Sequence, residues 1–185
     1  MESLSREEMK LLLKLARDSI ERYLKDGGRI EFPKATRALR EECGAFVTLH
    51  MRGDLRGCIG NMVGRGPLLE TVREMAIAAA FQDPRFPRVD PKEMGDIDIE
   101  ISVLSPMRRV KDVSEIEVGR HGILIRRGMN QGVLLPQVAT EWGWDRDEFL
   151  RNTCAKAGLP EDAWKDPNTS IEIFSAQVFG EKETN

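Results

Sequence analysis

The sequence predicts an α+β fold of mostly antiparallel sheets with packed helices. Three observations carry that expectation. Apolar residues recur at helical spacing in residues 6–25 and again after Pro67. Two pairs of strand-like runs are separated by turn residues, which implies hairpins and hence antiparallel pairing. The regular strand–helix–strand alternation that signals a parallel sheet is absent.

Ser5 followed by Glu8 is a capping box, and Met9, Leu12, Leu15, Ala16, Ser19, Ile20 and Tyr23 then repeat with helical period until Gly27 and Gly28 stop the run. Residues 44–51 are β-branched, aromatic or apolar, and the pattern resumes at 55–60 after Arg52, Gly53 and Asp54. A three-residue loop is expected here. It puts Val47, Leu49, Met51, Leu55 and Ile59 on one face and Thr48, His50, Arg56 and Cys58 on the other, whereas a slip of one residue would exchange the faces. The R-G-D of the loop reads as turn chemistry.

Pro67 suits the first turn of a second helix, whose stripe of Leu68, Leu69, Val72, Met75, Ala76, Ala79 and Ala80 can pack closely on a sheet. D-P-R-F-P at 83–87 cannot continue that helix and reads as a rigid loop, with Asp83 capping a turn. Residues 96–104 alternate cleanly, Ile97, Ile99, Ile101 and Val103 facing one way and Asp98, Glu100 and Ser102 the other. A second hairpin is expected from 121–127 and 133–135. Asp145 with Glu148 then caps a helix that Gly158 ends, and 171–179 is the last strand. A hairpin-plus-helix unit thus occurs twice.

The 185 residues are enough for one domain, with 41% hydrophobic and 32% charged side chains of interspersed sign. A net charge of −3 argues against a protein whose task is coating nucleic acid. The basic clusters Arg108, Arg109, Lys111 and Arg126, Arg127 read as solvated strand ends. With no basic region leading into an apolar core near the start, and no apolar stretch near the roughly 18 residues a membrane helix needs, no signal peptide or membrane contact is expected and the cytoplasm is the expected compartment. Cys43, Cys58 and Cys154 are odd in number and widely spaced, so a disulfide framework is not expected. No C-x-x-C pair and only two histidines, His50 and His121, give a metal site little support. G-R-G-P at 64–67 lacks the tail of a phosphate loop, and no cofactor is assigned.

The motifs L-R-G-C-I-G, D-P-R-F-P, I-E-I-S-V-L-S-P, H-G-I-L-I, L-L-P-Q-V and E-W-G-W-D, in this order over about 44–179, resemble the AMMECR-one domain family. The resemblance implies an α+β domain of two interleaved subdomains with a cleft between them. It also implies the company, in microbes, of a Memo-like protein and a radical SAM protein, the AmmeMemoRadiSam system. Arg56, Cys58, Arg85, Glu100 and His121 all fall on motif positions.

Cys58 is the candidate nucleophile. Side chains two apart on a strand share a face, so Arg56 could hold its charge near the sulfur and favour thiolate. Gly57 and Gly60 would clear room for a substrate, with backbone amides available to an oxyanion. The competing reading is a small strand residue flanked by glycines that relieve crowding against a helix. His121 is the preferred base, and His50 gains if the three-residue loop places it beside Cys58. Arg85 and Glu100 could orient or hold a substrate carboxylate, against a plainer account as a carbonyl cap and a solvated carboxylate. Cys43 and Cys154 read as structural, and Trp142 and Trp144 as core packing in a loop. Three functions follow from these residues: a cysteine-dependent enzyme acting on a small molecule or peptide, a module docking a Memo-like partner through L-R-G-C-I-G and D-P-R-F-P, and, more weakly, contact with RNA.

Overall fold

The computed structural model describes residues 3–32 and 34–184. The chain forms two compact units, Met1–Leu104 with Gln177–Asn185, and Ser105–Ala176. Both mix helices with antiparallel strands, an α+β fold.

The first unit opens with α1 (Arg6–Asp26), α2 (Arg37–Arg40), β1 (Ala45–Met51), β2 (Asp54–Asn61), α3 (Leu68–Phe81) and β3 (Ile97–Leu104). The Ser5–Glu8 capping box forms as read, and Gly27 ends α1 in the left-handed region at φ 70°. Thr36 caps the single turn of α2, which the sequence reading did not anticipate. The strands run in the order β2-β1-β3, all antiparallel. Alternation turns Ala45, Val47, Leu49, Ile97, Ile99, Ile101 and Val103 into one buried layer with Leu12, Ala16 and Ile20 of α1 and Leu69, Val72 and Ala76 of α3. Each fully buried leucine or isoleucine there contributes about 1.5–3 kcal/mol. The opposite face carries Phe46, Thr48, His50, Cys58, Asp98 and Glu100, all half-buried.

The hairpin differs from expectation at its tip. Met51 pairs with Asp54, so the loop is two residues, Arg52 at φ 55° and Gly53 at φ 94°, the left-handed pair that suits right-twisted strands. A bulge follows directly. His50 pairs with Leu55 but Leu49 pairs with Gly57, leaving Arg56 as the surplus residue. Beyond the bulge the register is that of a three-residue loop, with Thr48 opposite Cys58 and Val47 opposite Ile59. Leu55, expected on the core side, instead lies opposite His50 and is exposed.

The second unit contains β4 (Arg108–Arg109), β5 (His121–Arg127), β6 (Asn130–Leu134), α4 (Pro136–Trp142), α5 (Arg146–Lys156) and most of β7 (Ser170–Gly180). Strand order is β6-β5-β7, with β4 on β7, all antiparallel. The Asp145–Glu148 capping box forms and starts α5, whose Phe149, Leu150 and Cys154 pack against Ile123, Ile125 and Ile173. Pro136 occupies the first turn of α4 where a loop was expected. Trp144 packs on this core, but Trp142, at the end of α4, is 70% exposed, which corrects its reading as a core residue. β7 ends in the first unit, followed by α6 (Glu181–Thr184). There Glu181 pairs with Arg17 at 2.6 Å and accepts the Ile99 amide, tying the chain's end to α1 and β3.

Candidate functional site around Cys58

Cys58 lies on β2, the outer strand of its sheet, opposite Thr48, which in turn lies opposite Glu100 on β3. The three side chains form one row across the polar face. The Thr48 hydroxyl donates to the Cys58 sulfur at 3.3 Å. Cys58 as a residue is half-buried.

The backbone of Cys58 points away from β1 and is caught by the loop after α3. Asp83 accepts the Cys58 amide at 2.8 Å, and Arg85 Nη2 donates to the Cys58 carbonyl at 3.2 Å. Asp83 also accepts from the Arg85 amide at 3.1 Å and from its guanidinium at 2.7 Å and 2.9 Å. An aspartate and an arginine thus supply the acceptor and donor that another strand would bring, and cover the sheet edge at this residue. The Arg85 guanidinium first, then the Cys58 and Arg85 amides, hold the Asp83 carboxyl far below the usual range against the opposing effect of burial. Both expectations for these residues, a turn cap and a carbonyl cap, describe part of what they do. Arg85 remains half-exposed.

Arg56 was expected to place its charge beside the sulfur. Its side chain, 8% exposed, instead reaches Glu93 through two bonds of 2.9 Å and donates to the carbonyls of Pro87 at 3.0 Å and Arg88 at 3.4 Å. The bulge is the physical reason, since the surplus residue leaves the simple alternation that put Arg56 and Cys58 on one face. Arg56 binds Glu93 and the loop, and Arg85 is the arginine on the Cys58 backbone.

The room beside the two glycines is filled. A Cβ on Gly57 would stand 2.3 Å from the Ala79 carbonyl of α3, so this glycine lets helix and strand touch. A Cβ on Gly60 would stand 2.2 Å from the Phe46 ring, its cross-strand partner. The Cys58 amide, a candidate oxyanion donor, already serves Asp83.

His121 belongs to the second unit, at the start of β5. Its Nδ1 accepts the Glu117 amide at 3.1 Å, which places the proton of the neutral ring on Nε2. Burial pushes its pKa down, opposed by Glu117 and assisted by Arg120 and Arg108. His50 lies on the Cys58 face, one row further toward the hairpin tip, opposite Asp98. Among the described residues no group of three or more histidine, cysteine, aspartate or glutamate side chains is placed to hold a metal ion, and no helix is long and apolar enough to cross a membrane. Cys43 and Cys154 are buried, and burial pushes both thiols up.

Sequence reasoning placed Thr48 on the Cys58 face but gave it no role, and it missed Glu93. Glu93 was visible, because Asp90-Pro91-Lys92-Glu93 has the spacing of a capping box, which forms here around a short 3-10 turn.

A two-unit α+β chain with a cysteine strand clamped by an Asp-Pro-Arg loop defines a class that comparison with known proteins makes specific. The AMMECR1 family model matches residues 13–179, and the chain belongs to that family. The match reaches back into α1, beyond the 44–179 over which the motifs were recognised. A protein of Methanothermobacter thermautotrophicus is 48% identical, with 96% of each chain covered, and Protein MK0488 of Methanopyrus kandleri is 49% identical over 98% of this chain and 92% of its own. The crystal structure of uncharacterized protein PH0010 from Pyrococcus horikoshii superposes with a TM-score of 0.82 at 44% identity, covering 94% of this chain and 91% of that one.

Proposed function

We propose that the chain is a protein-docking module, working in the cytoplasm, whose contact surface is the D-P-R-F-P loop fixed on the Cys58 strand. The observation that carries this reading is the double capture of the Cys58 backbone by Asp83 and Arg85. The loop is anchored through the buried Asp83 carboxylate, while Pro84, Arg85, Pro87 and Arg88 remain exposed. Arg85 lies 5.5 Å over the Phe86 ring and Arg88 5.4 Å over Phe81, so both guanidinium groups are positioned before a partner arrives. A rigid pair of arginines on aromatic rings suits an acidic segment of a protein. The family resemblance suggests a Memo-like protein as that partner, with a radical SAM protein in the same system.

The competing reading is a cysteine-dependent enzyme acting on a small molecule or peptide. It gains from the partial exposure of Cys58 and from the Arg85 guanidinium on its carbonyl. It loses from the prior use of the Cys58 amide by Asp83, of the Arg56 guanidinium by Glu93 and of His121 Nδ1 by Glu117. Binding of the Memo-like protein from the same organism, measured by calorimetry, separates the two. Docking requires that Cys58→Ser keep its affinity and that Arg85→Ala with Arg88→Ala weaken it at least about tenfold. Equal affinity in the arginine variant, or an activity abolished by Cys58→Ser, favours the enzyme. Steep salt dependence toward RNA would support the third reading.

A further inference from the structure

E-W-G-W-D at 141–145 joins α4 to α5 in the second unit, and the junction is held at several points. Gly143, at φ 67°, takes the left-handed conformation that ends α4, and the Trp144 amide reaches back to the Ala139 carbonyl at 2.8 Å. Trp144 packs on the core of the unit, and Arg146 Nε donates to the Ile116 carbonyl at 3.0 Å. Trp142 stacks on Trp144, with ring centroids 6.0 Å apart and planes 18° from parallel, yet it is 70% exposed. One indole is thus held against another while most of its surface stays in water. Tryptophan is among the residue types that most often carry the binding energy of an interface, and here its position is set before a partner arrives.

The charge around the rings decides what they suit. Residues 141–148 carry four carboxylates and one guanidinium. Asp145 and Glu148 are occupied in the capping box that starts α5, and the guanidinium, Arg146, is engaged by the Ile116 carbonyl. Glu141 and Asp147 are exposed, and neither side chain has an ion-pair or hydrogen-bond partner among the described residues. A nucleobase would also stack on an indole, but its phosphates would meet these carboxylates, and an anionic membrane surface would meet the same repulsion. A cation meets an aromatic face and two unanswered negative charges.

We propose that Trp142 anchors a docking surface for a basic segment of a partner protein, with an arginine guanidinium lying flat on the open indole and Glu141 and Asp147 answering the positive charge of the segment. Arginine fits better than lysine because its planar, weakly hydrated head stacks on an aromatic face. The segment is opposite in sign to the acidic one that suits Arg85 and Arg88, so the two surfaces take different occupants. This one lies wholly within the second unit and needs nothing of the D-P-R-F-P loop.

The peptide acetyl-Gly-Arg-Gly-Arg-Gly-amide, titrated with the full chain at low ionic strength and followed by proton NMR, tests it. The ring current of the indole should move the arginine δ-methylene signals upfield, with a midpoint below about 5 mM. The same peptide with citrulline for arginine, alike in shape but uncharged, should bind at least about fivefold more weakly. Trp142→Ala should abolish the upfield movement, an unchanged Trp144 indole environment in the core showing that the variant is folded. Glu141→Gln with Asp147→Asn should raise the midpoint at least about threefold. Arginine signals that stay in place, that move equally with Trp142→Ala, or that saturate at the same concentration in the carboxylate variant overturn the proposal, as does equal binding of the citrulline peptide. Tighter binding of a single-stranded RNA oligonucleotide, lost in Trp142→Ala, overturns the assignment to a basic protein segment.

Discussion

Asp83, 4% exposed, accepts the amide hydrogen of Cys58 at 2.8 Å across 25 positions of sequence, so the motif cysteine is fixed by its backbone before its sulfur does anything. The same carboxylate holds Arg85, whose guanidinium returns to the Cys58 carbonyl. Replacing Asp83 with alanine leaves a strand amide without its acceptor and releases the loop. A loss of about 1–3 kcal/mol in urea unfolding is expected, with faster amide exchange at Cys58.

Acid should weaken the same region. Asp83 and Glu93 both titrate below their ordinary values, Asp83 through Arg85 and Glu93 through Arg56, with burial opposing in each case. A carboxyl depressed in the folded chain binds its proton more readily when unfolded. Its stabilising contribution is complete above the unfolded value of about 4 and is lost as pH falls below it toward the folded one. Unfolding midpoints measured between pH 7 and pH 3 should therefore drop mainly below about pH 4, and Asp83→Asn should show a smaller drop than the parent chain.

Arg56 and Glu93 form a pair with two charge-assisted bonds, and Arg56 also serves two loop carbonyls. Arg56→Lys keeps the charge but cannot reproduce the forked geometry. A cost of about 1.5–3 kcal/mol is expected from denaturant unfolding. The rate of Cys58 alkylation in the folded state should stay close to that of the parent, and a large change would return Arg56 to the role the sequence suggested.

Gly57 and Gly60 should respond unequally to alanine. At Gly57 the new methyl meets helix backbone, which cannot yield without moving α3, so a cost above about 2 kcal/mol is expected. At Gly60 it meets the ring of Phe46, which can rotate, and the Ala45 carbonyl at 2.6 Å, a looser backbone contact than the 2.3 Å at Gly57, so the cost should be smaller. Thermal unfolding of the two variants tests the order.

His121 should titrate below the ordinary histidine value, chiefly because it is partly buried. A ring that resists protonation in the fold accepts it more easily when unfolded, so this group lowers stability as pH drops beneath about 6.5 and has no effect above it. Nitrogen chemical shifts at neutral pH should report the Nε2–H tautomer, as the Glu117 bond requires.

Much of the fold could be read from local chemistry. The capping boxes at Ser5 and Asp145, the stop at Gly27 and the alternation of Ile97, Ile99 and Ile101 depend on neighbours a few residues apart, and all appear in place. The facing of Cys58 and Thr48 was also legible, through a loop length that proved wrong, because the bulge restores the offset that the shorter turn removes. The partners of Arg56 were not. Glu93 lies 37 residues away, and a bulge has no signature in side-chain period. Trp142 misled for the opposite reason, since a tryptophan's size suggests burial, yet α4 carries this one outward.

The unpaired position at Arg56 makes the hairpin tolerant of a change in length. Deleting that residue would leave an uninterrupted ladder in which Met51 still meets Asp54 and Thr48 still meets Cys58, so a shorter relative could present the same sulfur to the same side. The arginine is therefore dispensable for spacing. Its loss would be felt in the 87–93 segment, where Glu93 and two carbonyls would lose their donor.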